Sequence, residues 1–414
     1  MARGFITIQL PVSPSAPSLA LEEVAAAGYR SLRRIRFPVG RLSVFVGANG
    51  VGKTNLYRAL QLLQAAAAGT LARELAAEGG MASALWAGTR RAKQVPRIAL
   101  SATFGLGGDG GGASRHEYAV SAGASSYVVG IEVGWRTPIA AAFPLEPQIK
   151  EESLVHKYGK RAVTLFERRG PHVRARDATG ERVEINRELM ASETAFGALE
   201  DPGRFPDLHM IRQQMLDWRF YHDLRTDPAS PLRQPCLAIA APTLASDGSN
   251  LAAVLATLVH IRGDSVELDR AIVDAFPGAR LVVPDPERTA SFGMVFPDYP
   301  HRVFDAGELS DGTLRYLGLM GVLLAYRLPA FIALNEPEAS LHPDLLDPLA
   351  RLLARAAQRT QIWLVTHSVP LADAIAAHAG VRPLSVIKRD GETWIDGLKL
   401  SGEFRDGEDE EVAE

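Results

Sequence analysis

Among 414 residues there is one cysteine, Cys236. A single thiol excludes a disulfide framework and fits a reducing compartment. Charge of one sign is lacking too: Lys and Arg number 45, Asp and Glu 48, and the formal net charge is −3. So balanced a chain presents no global basic field for nucleic acid. No apolar run reaches the roughly 18 residues that a membrane helix needs. The nearest, Leu317 to Tyr326, is too short. No heptad pattern is sustained, which excludes long coiled-coil arms. Residues 1–20 hold Pro11, Pro14 and Pro17 and no basic segment leading into an apolar core. They read as a partly disordered lead-in, not a signal peptide. The run Asp406-Gly407-Glu408-Asp409-Glu410-Glu411 reads as a solvated acidic tail. A soluble cytoplasmic protein is expected, with one large or two modest domains.

What is present begins with Gly47-Ala48-Asn49-Gly50-Val51-Gly52-Lys53-Thr54. An apolar run, Leu42 to Val46, precedes it, and a helical pattern from Asn55 follows. This is the phosphate-loop pattern G-x-x-x-x-G-K-[ST] in its strand–loop–helix setting. The glycines let backbone N–H groups turn inward as an anion nest. The helix that follows points its positive end at the same place. Lys53 reaches terminal phosphates, and Thr54 offers a hydroxyl to Mg²⁺. ATP and Mg²⁺ are therefore the expected ligands, with Asn49, Gly50, Val51, Gly52, Lys53 and Thr54 lining the loop.

Apolar periodicity predicts a helix over Lys53–Ala68 and a shorter one over Leu71–Ala77. Strand-like runs follow at Ile98–Phe104, His116–Ser121, Ser126–Trp135, Ala162–Arg168 and Arg182–Ile185, separated by turn residues as in an antiparallel sheet. Residues 187–276 read as helical. A short β region spans 279–304, and a helix runs from Leu314 to Leu328, where Pro329 breaks it. Phe331–Leu334 and Gln361–Thr366 are buried strands flanking an amphipathic helix, Leu341–Ala357. Leu384–Lys388 and Glu392–Asp396 pair as a hairpin. The two ends of the chain thus read as α/β with a mostly parallel core sheet, and the middle as an antiparallel β part and an inserted helical lobe. The expected division is a lead-in over 1–20, an ATP-binding lobe over 21–185, a mainly helical insertion over 186–278, a second part of the ATPase lobe over 279–400, and a tail over 401–414.

Ligand sites in such sheets lie at the carboxyl ends of the strands. Gly47, Asn335-Glu336 and His367 each directly follow an apolar strand. Phe331 to Glu338 has the shape of a Walker B motif, in which Asp-Glu normally ends the strand. Here the first acid is Asn335. Its amide oxygen can hold a Mg²⁺-bound water but brings no charge. Glu336 keeps the general-base position, and His367 is placed to sense a γ-phosphate. Leu309-Ser310-Asp311-Gly312-Thr313 combines a hydroxyl, a glycine and a helix start, which suits a further phosphate contact as well as an N-cap.

The order of phosphate loop, LSDGT, NEPE, ASLHP and THS resembles the ABC-type ATPases of the SMC/RecF class, in particular the RecF-like AAA-family ATPase group. The likeness covers about residues 27–80 and 300–400. It implies a P-loop NTPase of ABC/SMC type. By it, Ser310, Asp311 and Gly312 form a signature motif that meets ATP bound by a second copy. Ala339-Ser340-Leu341-His342 is then the D-loop at the dimer seam. Glu336 and His367 act in catalysis, and Arg30 and Ser31 contact nucleotide. Gln94 is the candidate Q-loop residue.

The function expected from this likeness is an ATPase that forms a homodimer on ATP and serves DNA repair or maintenance, with a repair protein or effector as partner. DNA rests on the likeness, because basic residues cluster only locally: Arg30, Arg33, Arg34 and Arg36; Arg90, Arg91 and Lys93; Lys157, Lys160, Arg161, Arg168 and Arg169. These also suit ordinary surface charge. Two alternatives stand beside it. One is a non-hydrolysing ATP-dependent scaffold for a nuclease or defence effector, marked by Asn335. The other is the ATPase subunit of an ABC transporter. The long insertion between Thr54 and Ser310 argues against the transporter.

Overall fold

A computed structural model describes residues 19–89, 95–106, 125–136, 143–222, 224–262 and 266–404. Its centre is a six-stranded sheet in the spatial order Arg219–Tyr221, Phe331–Asn335, Gln361–Thr366, Leu42–Val46, Leu384–Arg389 and Glu392–Ile395. The first five strands run parallel, and the last returns antiparallel as a hairpin. An eight-stranded sheet, antiparallel throughout, packs beside it. Its order is Leu32–Pro38, Leu19–Tyr29, Arg97–Leu106, Ser125–Gly134, Gln148–Tyr158, Arg161–Arg169, His172–Arg176 and Arg182–Glu184.

The three central parallel strands are mostly apolar on both faces because each face covers a different core. Phe45, Phe331, Ala333, Trp363 and Val365 point into the core shared with the antiparallel sheet and the helix Lys53–Ala68. Val44, Ile332, Leu334, Ile362 and Leu364 point into the opposite core, built on the helices Asp311–Leu324 and Leu346–Ala356. Phe45 and Trp363 stack with ring centroids 4.1 Å apart. The two sheets are also clamped by one side chain. Gln361 accepts from the Leu21 amide at 2.7 Å and donates to its carbonyl at 2.9 Å, where the outer ladder is bulged.

The α/β architecture, the parallel core and the antiparallel part agree with the expectation from sequence. Local differences have physical causes. Arg219–Tyr221 lies within a stretch that reads as helical, yet it pairs with Phe331–Asn335 as the edge of the core sheet. Three residues carry no readable period. Gln148–Tyr158 and His172–Arg176 are further strands, obscured in sequence by their charged residues, of which Glu152 is buried. The helix expected to reach Leu328 ends at Leu324, because the chain turns at Ala325 and the Arg327 amide bonds the Pro242 carbonyl at 2.9 Å. The helix expected from Leu341 begins instead as a 3₁₀ turn, Pro343–Leu345. The run His116–Ser121, Gln94, the basic group at Arg90, Arg91 and Lys93, and the acidic run from Asp406 lie outside the described residues. Among the described residues, no helix is long and apolar enough to cross a membrane.

Candidate nucleotide-binding site

The register of the core sheet assembles the site. Asn335 lies opposite Val365, and Thr366 lies opposite Val46. The chain therefore leaves three adjacent parallel strands at one edge, bringing the loop from Gly47, the turn from Glu336 and His367 together.

In the loop, Gly52 caps the following helix at φ 96°, and Gly50 has φ 81°. Both are left-handed conformations that favour glycine. A Cβ on Gly52 would fall 1.9 Å from the Thr393 hydroxyl and 2.6 Å from that of Ser31. Asn49, Gly50 and Thr54 are exposed, Val51 is half-buried, and Lys53 is 5 % exposed. The Lys53 ammonium donates to the carbonyls of Gly47 at 2.5 Å and Ala48 at 2.9 Å. Burial holds that ammonium below the usual lysine range, while Glu336 and then Glu338 act in the opposite direction.

Ser31 is tied to this loop. Its hydroxyl lies 2.6 Å from that of Thr393 and accepts from the Asn55 amide at 2.6 Å. Thr393 in turn donates to the Val51 carbonyl at 2.8 Å. Arg30 is held differently: it sits at φ 46° and pairs with Glu78 at 2.8 Å. Glu78 also receives the Tyr29 hydroxyl and Arg58.

At the neighbouring strand ends, Glu336 adopts φ 48°, uncommon for a residue with a Cβ. Its amide donates to Val365 at 2.7 Å, and its carbonyl accepts from Arg315 at 3.2 Å. His367 Nδ1 lies 3.6 Å from Glu336 and 3.3 Å from Glu338. Glu338 is buried and receives the Thr366 hydroxyl at 2.5 Å and the His367 amide at 3.2 Å on the same oxygen. Among the described residues, Glu338 Oε2 and Asn335 Oδ1 are buried acceptors with no hydrogen-bond partner. They and the Thr54 hydroxyl are hard oxygen donors, the chemistry that suits Mg²⁺ shared with substrate phosphates. No group of three His, Cys, Asp or Glu among the described residues is placed to hold a metal alone.

Ser310, Asp311 and Gly312 are placed elsewhere. Ser310 caps the helix Asp311–Leu324 and accepts from the Thr313 amide at 3.2 Å. Asp311 pairs with Arg233 at 2.6 Å. Ser310 and Gly312 line a cleft of about 620 Å³ with Phe276 and the segment Ser340–Leu345. No phosphate-loop residue lines it.

Among the described residues, some of the local basic groups are engaged and others are exposed. Arg33 pairs with Glu392 at 2.7 Å and Arg36 with Glu23 at 3.5 Å. Arg168 corrects the reading of its cluster as surface charge. It is 2 % exposed, bonded to Glu152 at 3.1 Å and to the Gly170 carbonyl at 2.8 Å. Lys157, Lys160, Arg161 and Arg169 are exposed. Thr393, Asn55 and Arg315 belong to the site without having been singled out in the sequence. Asn55 adjoins the phosphate-loop motif, and Glu338 ends the Phe331–Glu338 motif. Thr393 and Arg315 carry no local signal.

Residues 243–373 match the family model described as "AAA domain, putative AbiEii toxin, Type IV TA system". That stretch holds Ser310, Asn335, Glu336 and His367. No curated protein matches the chain in sequence. Among solved structures, the chain is similar to an SMC head bound to the C-terminal winged-helix domain of ScpA, at 14% identity and TM-score 0.53, covering 92% of this chain and 99% of that one. It is also similar to an SMC head with an extended coiled coil bound to the C-terminal domain of ScpA, derived from Pyrococcus furiosus, at 12% identity and TM-score 0.50, covering 92% and 97%. At these identities the likeness is one of fold: the chain has the P-loop NTPase architecture of SMC head ATPase domains.

Proposed function

We propose that the chain is an ATPase that closes into a head-to-tail homodimer around ATP and acts in DNA repair or maintenance. The observation that carries the dimer is the separation of two half-sites. The phosphate loop, Asn335, Glu336 and His367 share one sheet edge, whereas Ser310 and Gly312 line a different cleft with the Ser340–Leu345 segment. In this reading a second copy brings Ser310 to the nucleotide. DNA and a repair or effector partner rest on the resemblance. We read 21–185 and 279–400 as the two parts of the ATPase lobe, 186–278 as the insertion, and 1–20 and 401–414 as flanking segments.

In this mechanism the loop amides and Lys53 hold the β- and γ-phosphates. Ser31 and Asn55 brace the loop from beneath, and Arg30 is the proposed flanking nucleotide contact. Bound Mg²⁺ would neutralise developing charge on the phosphates, held by Thr54 and, through water, Asn335. Glu336 orients the attacking water and accepts its proton, a role typically worth about 10²–10⁴-fold. His367 donates a hydrogen bond to the γ-phosphate. From the partner copy, the same Ser310 and Gly312 complete the phosphate cage, with Asp311 fixing the helix start through Arg233.

Light scattering coupled to size exclusion tests this reading. Glu336→Gln is expected to be monomeric without ATP and dimeric with it. Ser310→Arg is expected to bind ATP and stay monomeric. A Glu336→Gln chain that binds ATP and remains a monomer overturns the mechanism. Asn335 favours the scaffold as a second reading: if wild type and Glu336→Gln are equally silent in single-turnover assays while both dimerise, hydrolysis is not part of the function.

A further inference from the structure

We propose that Glu338 supplies the carboxylate of the divalent-metal site, replacing the charge that Asn335 does not bring. The proposal rests on the nucleotide reading above and adds a residue to it.

Glu338 combines burial, rigidity and an open oxygen. Its side chain is 5 % exposed. One oxygen, Oε1, is anchored by the Thr366 hydroxyl at 2.5 Å, at the end of the adjacent strand, and by the His367 amide at 3.2 Å, in the turn that follows. The other, Oε2, is buried with no hydrogen-bond partner. Pro337 precedes it, and the Leu341 amide bonds the Glu338 carbonyl at 3.0 Å, so the backbone is braced on both sides. A buried carboxylate oxygen without a partner is costly unless a cation shares it. The ammonium of Lys53 is engaged by Gly47 and Ala48. His367 Nδ1 lies 3.3 Å from the anchored oxygen.

A second orphan acceptor, Asn335 Oδ1, lies three residues earlier, at the end of the strand Phe331–Asn335. Two buried oxygens without partners in one Asn-Glu-Pro-Glu turn are the donors this proposal gives to a hard cation. Mg²⁺ is usually held by one or two carboxylates together with substrate phosphates. Asn335 contributes an oxygen and no charge. Glu336 is strained at φ 48°, and its side chain is 37 % exposed, as suits a group that meets water. Glu338 is the remaining carboxylate of that turn.

The alternative is that Glu338 only clamps the turn carrying His367. Metal affinity separates the two. Mn²⁺ binding to the full-length chain with a non-hydrolysable ATP analogue can be titrated by electron paramagnetic resonance for wild type, Glu338→Gln, Thr366→Val and Asn335→Asp/Glu338→Gln. Glu338→Gln keeps an acceptor for Thr366 and His367. It is expected to weaken Mn²⁺ by about 10- to 100-fold, with metal-free analogue binding unchanged. The double variant is expected to recover most of that loss, because a carboxylate returns three residues away. Thr366→Val removes the anchor but not the charge, and is expected to lose less than Glu338→Gln. Wild-type Mn²⁺ affinity in Glu338→Gln, no recovery in the double variant, or an equal loss in Thr366→Val each overturns the proposal while the nucleotide reading stands. If the wild-type chain binds no analogue at all, the two fall together.

Discussion

Thr393, in the last hairpin of the core sheet, meets Ser31 hydroxyl to hydroxyl at 2.6 Å, directly against the position a Gly52 side chain would occupy. The two residues are 362 positions apart. Thr393 also donates to Val51 and is 1 % exposed. The phosphate loop is thus supported from below by residues outside its own motif.

Gly52→Ala is expected to be the most damaging single change in the loop. It meets both hydroxyls and forces a side chain to φ 96°. Strain of that kind typically costs about 1–3 kcal/mol. Thr393→Ala removes its bonds to Val51 and Ser31 and is expected to cost about 1–2 kcal/mol. Thermal melts with and without ATP check both. Gly52→Ala is expected to lose the ATP-induced rise entirely, and Thr393→Ala only part of it.

Lys53 governs a pH dependence whose sign is determined. Its folded-state pKa is lowered by burial from the ordinary 10.5. The folded state therefore releases this proton at lower pH than the unfolded chain does. In the alkaline window below 10.5 the unfolded chain binds more protons, so this group's penalty on folding fades as pH rises. Without nucleotide, the stability difference between wild type and Lys53→Met is expected to shift toward wild type as pH climbs into that window. Urea melts across alkaline pH measure it, and a difference that moves the other way refutes the assignment. Lys53→Met is expected to lose ATP binding at every pH.

Arg315 links the helix carrying Ser310 to the turn carrying Glu336. It is 8 % exposed and bonds the carbonyls of Leu224 at 2.9 Å and Glu336 at 3.2 Å. Arg315→Met is expected to relax the strained Glu336 backbone and to lower ATP turnover by about ten- to a hundredfold, on the scale of a 1 Å misplacement. ATP affinity is expected to stay within a few-fold. A fall in affinity with unchanged turnover contradicts a positioning role.

Glu152→Ala tests the antiparallel sheet. Glu152 receives Arg168 at 3.1 Å and the amides of Ala195 at 2.8 Å and Phe196 at 3.1 Å, all out of solvent. Removing it strands a buried guanidinium, which typically costs about 3–5 kcal/mol. The urea midpoint is expected to fall accordingly. Arg33→Ala, at an exposed pair, is expected to shift it by well under 1 kcal/mol.

The sequence by itself determined what depends on neighbours along the chain. The glycines and Lys53 mark the loop because phosphate binding needs them at fixed spacing. Phe331–Asn335 and Gln361–Thr366 read as buried strands because a doubly covered strand is apolar throughout. That same uniformity hides which face each residue takes: Phe331 and Ile332 enter opposite cores, and only the packed layers decide it. Tertiary structure alone decided the rest. Arg168 looks like surface charge until Glu152 and the 190–193 carbonyls close around it. Arg219–Tyr221 is too short to carry a period and becomes a strand by pairing with Phe331–Asn335. Glu338 ends the Phe331–Glu338 motif in sequence, but only the contacts with Thr366 and His367 bury it. Burial and long-range partners arise when distant segments meet, and neither leaves a trace in local periodicity.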